Sequence, residues 1–414
     1  MSNKTNRPIK RTVSCLSALC LVLCSCDNKH EIPEQNDPTS ARTVLVYMVA
    51  ENSLSSYASA DIKEMLEGVK GMSDNDNLVV YLDDTKSPRI YTITNKTAAK
   101  TLSELEPSYL FPTELNSASA DVLKDVVRYT QRQYPADSYG IIFWSHASGW
   151  INSDFSGDMA KQNYTLRKSF GLDNGRNTSS NLGNQMNIGD MASVLSDFPK
   201  FDFIMFDACF MQSIEVVYEL KKCAQYIIGS PAEIPGPGAP YEKLINPMFA
   251  EKPNIAGIVN AYYEHYYYDN IFGVVLSAID CSKLDKLADC TSRYIHKYKD
   301  VLPNTDYSDV QNYFLYEKWN SYSKYPDCYE MQGIMQKVLS EADYAVWKQV
   351  FDETITIAQA TDSWYSAYQR GSLPINKEQF GGISMFLPLE KYANESFLYD
   401  YASTQWAKAI GLEE

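Results

Sequence analysis

The sequence has little histidine and a deficit of positive charge. It contains four histidines in 414 residues, and its 37 Lys and Arg are outnumbered by 52 Asp and Glu, so the net charge is −15. Beyond residue 11 no basic run is longer than a pair, and no internal repeat is visible. Because nucleic-acid surfaces depend on clustered positive charge, this composition argues against a nucleic-acid-binding protein.

The sequence also lacks the ligand spacings of common metal sites. No CxxC or Cys/His pattern suggests zinc, and no EF-hand-like loop occurs among the acidic residues, so the sequence identifies no metal ligands. Five of the nine cysteines lie beyond residue 26, and an odd number leaves one thiol unpaired even in an oxidising compartment. These five are Cys209, Cys223, Cys281, Cys290 and Cys328.

Residues 1–25 have the layout of a secretory signal peptide. Basic residues precede the apolar stretch 12–24, which is too short to span a bilayer as a stable helix. The sequence LCSC at 23–26 is similar to a bacterial lipobox, in which Cys26 becomes the lipidated first residue; the alternative is an ordinary signal peptide with a chance cysteine. We expect an exported protein held to the membrane of the bacterial cell envelope by a lipid on Cys26, facing the periplasm or the cell surface. Residues 26–41 are predicted to form a flexible linker.

Apolar runs rich in β-branched residues recur through residues 42–414. Most are continuously apolar, as expected for strands buried on both faces of a parallel sheet, and helix-period stretches separate several of them. This alternation predicts an α/β fold with a doubly wound, mostly parallel sheet. Residues 283–375 instead show Tyr-rich helical patterns, which predict a mainly helical insertion or subdomain. The predicted strands are 43–50, 77–84, 139–146, 201–208, 225–230, 272–280 and 381–389.

Two reactive side chains lie where predicted strands end. His146 is the one histidine that ends a strand, and Cys209 directly follows another. Functional groups of open parallel sheets collect beyond the carboxyl ends of the strands. A neighbouring imidazolium or a helix N-terminus lowers the pKa of a thiol and makes it nucleophilic, and we expect both at Cys209 if the two strands are neighbours and a helix starts just past the cysteine. The alternative is a buried structural cysteine.

Asp207 lies two residues before Cys209 and points to the same side if the backbone stays extended there. Its carboxylate can line a pocket for a cationic substrate side chain. The alternative role is a cap for the helix that follows.

Five blocks of the sequence resemble the clostripain-like cysteine peptidases, and the resemblance spans most of residues 42–411. It implies a caspase-like three-layer α/β/α fold, as in gingipains and legumains, over residues 42–414, with a mainly helical C-terminal region. It also implies an endopeptidase that needs no cofactor for its chemistry, with His146 as the general base or imidazolium partner and Cys209 as the nucleophile that forms an acyl-enzyme. The blocks are TVLVYMVAENSL, YPADSYGIIFWSHASGW, FDFIMFDACFMQSIEVVYEL, IIGSPAEIPGPG and GGISMFLP.

The same resemblance implies further properties of the site. The backbone amides of Ala147 and Cys209 are expected to form the oxyanion hole, and Asp207 to contribute to a pocket that prefers Arg or Lys before the cut. Calcium is implied as an activator. A monomer that cuts itself into two chains is implied as well, and the basic residues available between the His and Cys strands include Lys161, Arg167 and Lys168.

Two departures from the family pattern concern this site. Ala147 stands where the family usually has glycine after the histidine, which has a cost if the backbone there needs a positive φ. Pro237 stands between two glycines where an acidic pocket residue is usual, and Glu233 is the nearby carboxylate that can substitute. These departures leave open an alternative function, a catalytically impaired lipoprotein that uses the peptidase fold for binding.

Overall fold

A nine-stranded sheet forms the centre of the computed structural model, which describes residues 40–151, 169–175, 183–269, 271–314, 326–367 and 369–413. The strands are β1 (Ser40–Val49), β2 (Asp76–Asp83), β3 (Arg89–Ile93), β4 (Tyr109–Leu110), β5 (Ala136–Trp144), β6 (Phe170–Asp173), β7 (Asn184–Met186), β8 (Phe201–Asp207), β9 (Ala224–Gly229), β10 (Val275–Asp280), β11 (Tyr329–Glu330), β12 (Ile355–Ala360), β13 (Ser363–Ser366), β14 (Gly371–Pro374) and β15 (Ser384–Met385). The helices are α1 (Ser55–Gly68), α2 (Ala120–Gln133), α3 (Ile188–Leu195), α4 (Ile214–Leu220), α5 (Tyr241–Met248), α6 (Ile255–Tyr267), α7 (Leu284–Lys297), α8 (Met331–Val338), α9 (Glu341–Thr354), α10 (Phe397–Ser403) and α11 (Gln405–Ile410).

The order of strands in the large sheet is β12-β10-β9-β8-β5-β1-β2-β3-β4. The five central strands, from β9 to β2, pair in parallel, and the two outer strands on each side pair antiparallel. Parallel neighbours need crossover connections, which α1, α2, α3 and α4 supply. The predicted fold class, an α/β/α fold with a mostly parallel sheet, is confirmed.

Alternate residues of each central strand are buried on opposite faces of the sheet. Leu45, Tyr47 and Val49 of β1 pack on the face that α2, α3, α4 and α7 cover, while the alternate residues pack on the face covered by α1, α5 and α6. Successive strand residues point to opposite faces, so a strand covered on both sides must be apolar at nearly every position. This explains the continuous apolar runs of the sequence.

The C-terminal region is mainly helical, as predicted, but it also completes the sheet. Residues 355–360 form β12, which pairs antiparallel with β10, although the sequence predicted that the helix continues through them. The segment TITI at 354–357 contains only β-branched residues, which lose side-chain freedom in a helix and pack well in a strand. Pairing with the edge of β10 therefore favours a strand over a helix at residues 355–360.

The predicted strand 381–389 is much shorter than expected. Only Ser384–Met385 is a strand, and it pairs with β11 outside the large sheet. Gly382 has a φ of 84° and Pro388 has no N–H group, so neither residue suits an extended ladder.

Residues 1–39 lie outside the described part of the chain, so the signal peptide, the lipidation of Cys26 and the linker over 26–41 stay predictions. The described residues belong to one structural unit, Pro33–Glu414, in which the first strand begins at Ser40. Among the described residues, no helix combines the length and the apolar character needed to cross a membrane.

Candidate active site

The register of two neighbouring strands brings His146 and Cys209 to the same edge of the sheet. β5 and β8 pair in parallel, and the last pair in this register is Trp144 with Asp207. His146 and Cys209 each follow their strand by two residues beyond that pair. Both residues line one cavity of about 350 Å³ at the carboxyl ends of the strands. The adjacency of the two strands, on which the sequence prediction depended, is therefore present.

Ser145, which follows β5, and side chains from the loop after β1 hold the histidine. The Oγ of Ser145 donates to the main-chain oxygen of Val49 at 2.8 Å, and the side-chain amide of Asn52 donates to the same oxygen at 2.9 Å. Ser53 then places its Oγ 2.8 Å from Nε2 of His146. The sequence analysis missed Ser53, although its position just after a central strand was a usable signal.

Main-chain hydrogen bonds hold the cysteine. The N–H of Phe210 donates to the main-chain oxygen of Ala232 at 2.9 Å, and the N–H of Gln212 donates to that of Ser230 at 3.0 Å. Between these anchors Phe210 adopts a φ of 61°, a left-handed conformation that costs a bulky residue about 1–3 kcal/mol. Such strain persists where surrounding contacts impose it, here directly beside Cys209.

The helix after Cys209 begins later than predicted. α4 starts at Ile214, and its first turn is capped by Ser213, whose Oγ accepts from the N–H of Val216 at 3.4 Å. The chain first runs beside residues 230–232, so Cys209 is not at a helix N-terminus. The expected lowering of the thiol pKa by the helix was therefore wrong, and so was the alternative that Asp207 caps this helix.

The resting state of the His/Cys pair is neutral. Burial, with a further contribution from Glu233, raises the pKa of the Cys209 thiol to about 12. Burial also lowers the pKa of His146 to about 4. The Sγ of Cys209 accepts a hydrogen bond from the N–H of Ile234 at 3.3 Å, which favours the thiolate without outweighing burial. At neutral pH the site thus holds a thiol and an uncharged imidazole.

Asp207 lines the cavity but is already well supplied with donors. Its carboxylate accepts from the N–H of Ala239 and from the hydroxyls of Tyr241 and Tyr262, each at 3.1 Å. An ionised carboxylate has about four acceptor positions, so about one remains, on Oδ1. Burial raises the pKa of Asp207 to about 6 despite these bonds.

The two tyrosines that bind Asp207 were not found by sequence reasoning. Tyr262 belongs to the Tyr-rich sequence 261–270, of which residues 261–267 form the end of α6, and both tyrosines are fully buried. Long-range contacts bring α5 and α6 beneath the cavity, and no local pattern marks the hydroxyl partner of a buried tyrosine.

Glu233 is the second carboxylate of the cavity. It is buried, accepts from the N–H of Ala367 at 2.8 Å, and accepts from the hydroxyl of Ser366 at 2.5 Å. Ser366 ends β13 and Ala367 begins the turn to β14, so this hairpin positions the carboxylate beside Cys209. Pro237 is exposed and does not line the cavity.

Alanine at position 147 has no left-handed backbone to accommodate. Among the described residues, the non-glycine positions with positive φ are Phe210 and Arg370. Ala147 bridges Phe170, and the bonds of this bridge are donated by Ser148 and Gly171. The N–H of Ala147 therefore donates neither of the two hydrogen bonds of this bridge.

Four of the predicted residues have no described position, and the other cysteines are not part of the cavity. Lys161, Arg167, Lys168 and Cys26 are outside the described residues. The four cysteines other than Cys209 beyond residue 26 are free thiols and do not line the cavity.

A sequence profile described as the Clostripain family matches residues 46–413. The chain belongs to the clostripain family. Clostripain from Hathewaya histolytica is 26% identical over 226 residues, which is 49% of this chain and 41% of that protein. The match therefore spans about two fifths of the length of this curated member of the family.

Solved structures of the family cover nearly the whole chain. A secreted C11 cysteine protease from Bacteroides thetaiotaomicron, in complex with an irreversible peptide inhibitor, is 32% identical with a TM-score of 0.73, covering 90% of this chain and 99% of that one. An inactive zymogen C11 protease from Parabacteroides distasonis is 28% identical with a TM-score of 0.73, covering 91% and 99%. The family, the fold class and the enzyme class predicted from the sequence, a cysteine peptidase, are confirmed at this level.

Proposed function

We propose that the chain is an endopeptidase that cuts protein or peptide substrates through His146 and Cys209. The observation that carries this proposal is that each residue lies two positions beyond the last β5–β8 pair, Trp144 with Asp207, and that both line the same cavity. As substrate displaces water, His146 takes the thiol proton and Cys209 attacks the scissile carbonyl. The imidazolium then protonates the leaving amine, and water hydrolyses the thioester with His146 as base. No metal or cofactor takes part in these steps.

The backbone amides of Ala147 and Cys209 are the proposed oxyanion donors. Support comes from the N–H of Ala147, which the bridge to Phe170 does not use, and from its position in the cavity lining. One such donor is worth about 3 kcal/mol of transition-state stabilisation. Because Ala147 needs no positive φ, its methyl group does not argue against this role.

Arg or Lys is the proposed residue before the cut. Two carboxylates, Asp207 and Glu233, line the cavity, and no lysine or arginine is among its lining residues in the described chain. The remaining acceptor position of Asp207 suits one N–H of a cationic side chain. Glu233 adds negative charge at the side of Cys209.

The alternative function is binding without turnover by an impaired peptidase fold. The neutral resting pair favours it, because a thiol with a pKa of about 12 is a weak nucleophile at pH 7. One solved relative is itself described as an inactive zymogen.

Cleavage of a mixed peptide library, read by mass spectrometry, tests the two functions. We expect the purified chain to cut after Arg or Lys, the Cys209→Ala variant to leave the library intact, and Cys328→Ala to match the parent. Equal cutting by parent and Cys209→Ala would contradict the proposed nucleophile. An intact library, with Cys209 accessible to an alkylating reagent and the chain already processed, would favour the binding protein.

Self-processing into two chains is proposed at Lys161, Arg167 or Lys168, within a monomer. These residues fall between β5 and β8 in the sequence, and their basic side chains match the proposed specificity. Incubation of the parent should yield two fragments whose masses identify the cut, and Cys209→Ala should stay intact. A cut elsewhere, or one that persists in Cys209→Ala, would refute self-processing at these sites.

The proposed location is the bacterial cell envelope, with a lipid on Cys26. Metabolic labelling with a palmitate analogue should mark the parent and Cys24→Ala but not Cys26→Ala. Label retained in Cys26→Ala would move the anchor to another residue. Stimulation by calcium, which the family resemblance implied, is also a proposal.

A further inference from the structure

Two walls of the cavity beside Cys209 belong to opposite faces of the sheet. Asp207 lies in the wall on the face that α1, α5 and α6 cover, where two tyrosine hydroxyls hold its carboxylate. The hairpin of β6 and β7 forms the other wall, and its residues Phe170 and Met186 are buried in the core on the opposite face. A peptide that contacts both walls therefore crosses the carboxyl ends of β5 and β8, where the proposed catalytic pair lies.

Main-chain hydrogen bonds join this hairpin to the segment that carries the histidine. The N–H of Gly171 donates to the main-chain oxygen of His146 at 3.0 Å, and the N–H of Ser148 donates to that of Ser169 at 3.2 Å. On its other side β6 pairs antiparallel with β7. The three segments form one small layer of extended chain, so the position of β7 is fixed relative to the imidazole.

Strand β7 contributes the side chain of Gln185 to the cavity. Gln185 is half-buried, and its Oε1 accepts a hydrogen bond from the hydroxyl of Ser169 at 3.3 Å. Ser169 is fully buried, so it fixes one end of the amide. The other end carries two N–H groups, and Nε2 donates to no residue in the described part of the chain. Gln185 thus offers two donors in a held orientation beside the catalytic pair.

The direction of the substrate follows from the roles of the two walls. Because His146 protonates the leaving amine, that amine has to lie within hydrogen-bond reach of the imidazole. The proposed pocket for Arg or Lys before the cut is at Asp207, in the opposite wall. The residues after the cut therefore continue past His146 towards the β6–β7 hairpin, where Gln185 lies.

We propose that Gln185 binds the substrate main chain just after the cut, by donating from Nε2 to a carbonyl oxygen of the leaving segment. Every peptide has such a carbonyl, so the contact does not depend on the side chains that follow the cut. It selects peptides and proteins that continue beyond the scissile bond over compounds with a small leaving group. The inference deepens the proposed peptidase function and rests on it.

Two substrates with the same residues before the cut test this contact in the full chain. One ends in aminomethylcoumarin, and the other continues for several residues after the cut. Gln185→Ala should lower kcat/KM for the long peptide about three- to tenfold, because one hydrogen bond made during acylation is lost, and should change kcat/KM for the coumarin amide less than about twofold. Asn184→Ala is the control, because Asn184 is exposed in the same strand and does not line the cavity. It should match the parent on both substrates.

A second variant separates the donors from the side chain as a whole. Gln185→Glu keeps an oxygen that can accept from Ser169 but replaces both N–H groups of the amide by an oxygen. It should lose at least as much kcat/KM on the long peptide as Gln185→Ala and cut the coumarin amide like the parent. Parent activity of Gln185→Glu on the long peptide would overturn the inference.

The coumarin amide also reports whether the variants keep an intact active site. A loss in Gln185→Ala that is equal on the two substrates would mean that Gln185 supports the fold and not the leaving segment, and it would overturn the inference, as would an unchanged kcat/KM on the long peptide. If the parent cuts neither substrate, the proposed peptidase function fails, and the inference fails with it. These outcomes differ in the behaviour of the parent, so the two failures are distinguishable.

Discussion

The two sides of the candidate active site are held in place by different means. On the histidine side, the side chains of Ser145, Asn52 and Ser53 add hydrogen bonds to the main-chain bond that the N–H of Gly171 donates to the oxygen of His146. On the cysteine side, the bonds run between main-chain groups, and Phe210 takes a left-handed conformation. Side-chain contacts can be removed one at a time, whereas a main-chain frame changes only if the loop refolds. The histidine side is therefore the side that substitutions can adjust gradually.

Of the substitutions on the two sides of the site, loss of the His146 imidazole should reduce peptidase activity most. His146→Ala is expected to lower kcat/KM by about 10²- to 10⁴-fold, because the variant loses the general base proposed to accept the thiol proton. His296→Ala, which alters an exposed histidine on α7, serves as the control and should retain parent activity. Peptide hydrolysis measures both, and similar activity in the two variants would contradict the assigned role of His146.

The neutral resting pair predicts how the free thiol responds to pH. With a thiol pKa of about 12, the rate of alkylation of Cys209 should rise about tenfold for each pH unit between 6 and 9. Mass spectrometry of the modified peptide follows the reaction at Cys209 alone. A rate that is constant between pH 5 and 8 would instead mean that a thiolate and an imidazolium form before substrate binds.

A smaller change, in the preference for Lys before the cut, should distinguish the roles of Asp207 and Glu233. Asp207→Asn should reduce the preference for Lys over Leu before the cut by about tenfold, since a hydrogen bond to a charged group is worth about 1.5–3 kcal/mol. Glu233→Gln provides the matched change on the neighbouring carboxylate. Paired peptide substrates measure the preference, and an unchanged preference in Asp207→Asn would assign the pocket charge to Glu233.

The same carboxylate should make this preference depend on pH. Burial raises the pKa of Asp207 from 3.8 to about 6, so the preference for Lys should fall as the pH falls through about 6. The stability of the fold should change with pH in the opposite direction. The contribution of Asp207 to the free energy of unfolding is present below about pH 4 and is lost as the pH rises through about 6. Melting temperatures of parent and Asp207→Asn, measured from pH 4 to pH 7, should converge towards low pH.

Removal of the hydroxyl beside the histidine should give the smallest effect. Ser53→Ala loses one hydrogen bond to His146, worth about 1 kcal/mol, so kcat should fall about fivefold with little change in KM. Ser56→Ala is the control, because Ser56 is exposed in the first turn of α1. A loss as large as that of His146→Ala would mean that Ser53 does more than orient the ring.

The sequence predicted those features that depend on the local pattern. Continuous apolar runs predicted the central strands, because residues buried on either face are apolar whatever their neighbours are. Positions at the strand ends led to His146 and Cys209 for the same local reason. What failed was the strand 381–389 and the helix across 355–360, where pairing with distant segments decides the structure.

The rest of the site depends on long-range packing that a single sequence does not display. The hydroxyls of Tyr241 and Tyr262 reach Asp207 because α5 and α6 pack together beneath the cavity. The raised pKa of Cys209 likewise follows from burial, which the sequence does not quantify. Ser53, by contrast, follows the end of β1, and its position is a signal that the sequence does contain.

The order of strands has a consequence for how the chain folds during synthesis. β1 pairs with β2, which is followed outward by β3 and β4, and its other edge receives β5, β8, β9, β10 and β12 in turn. Each new strand of this sheet therefore meets a partner that the ribosome has already made, and no strand has to be inserted between two earlier neighbours. His146 is synthesised before Cys209, so an unfinished chain that stops before β8 lacks the thiol that we propose as the nucleophile.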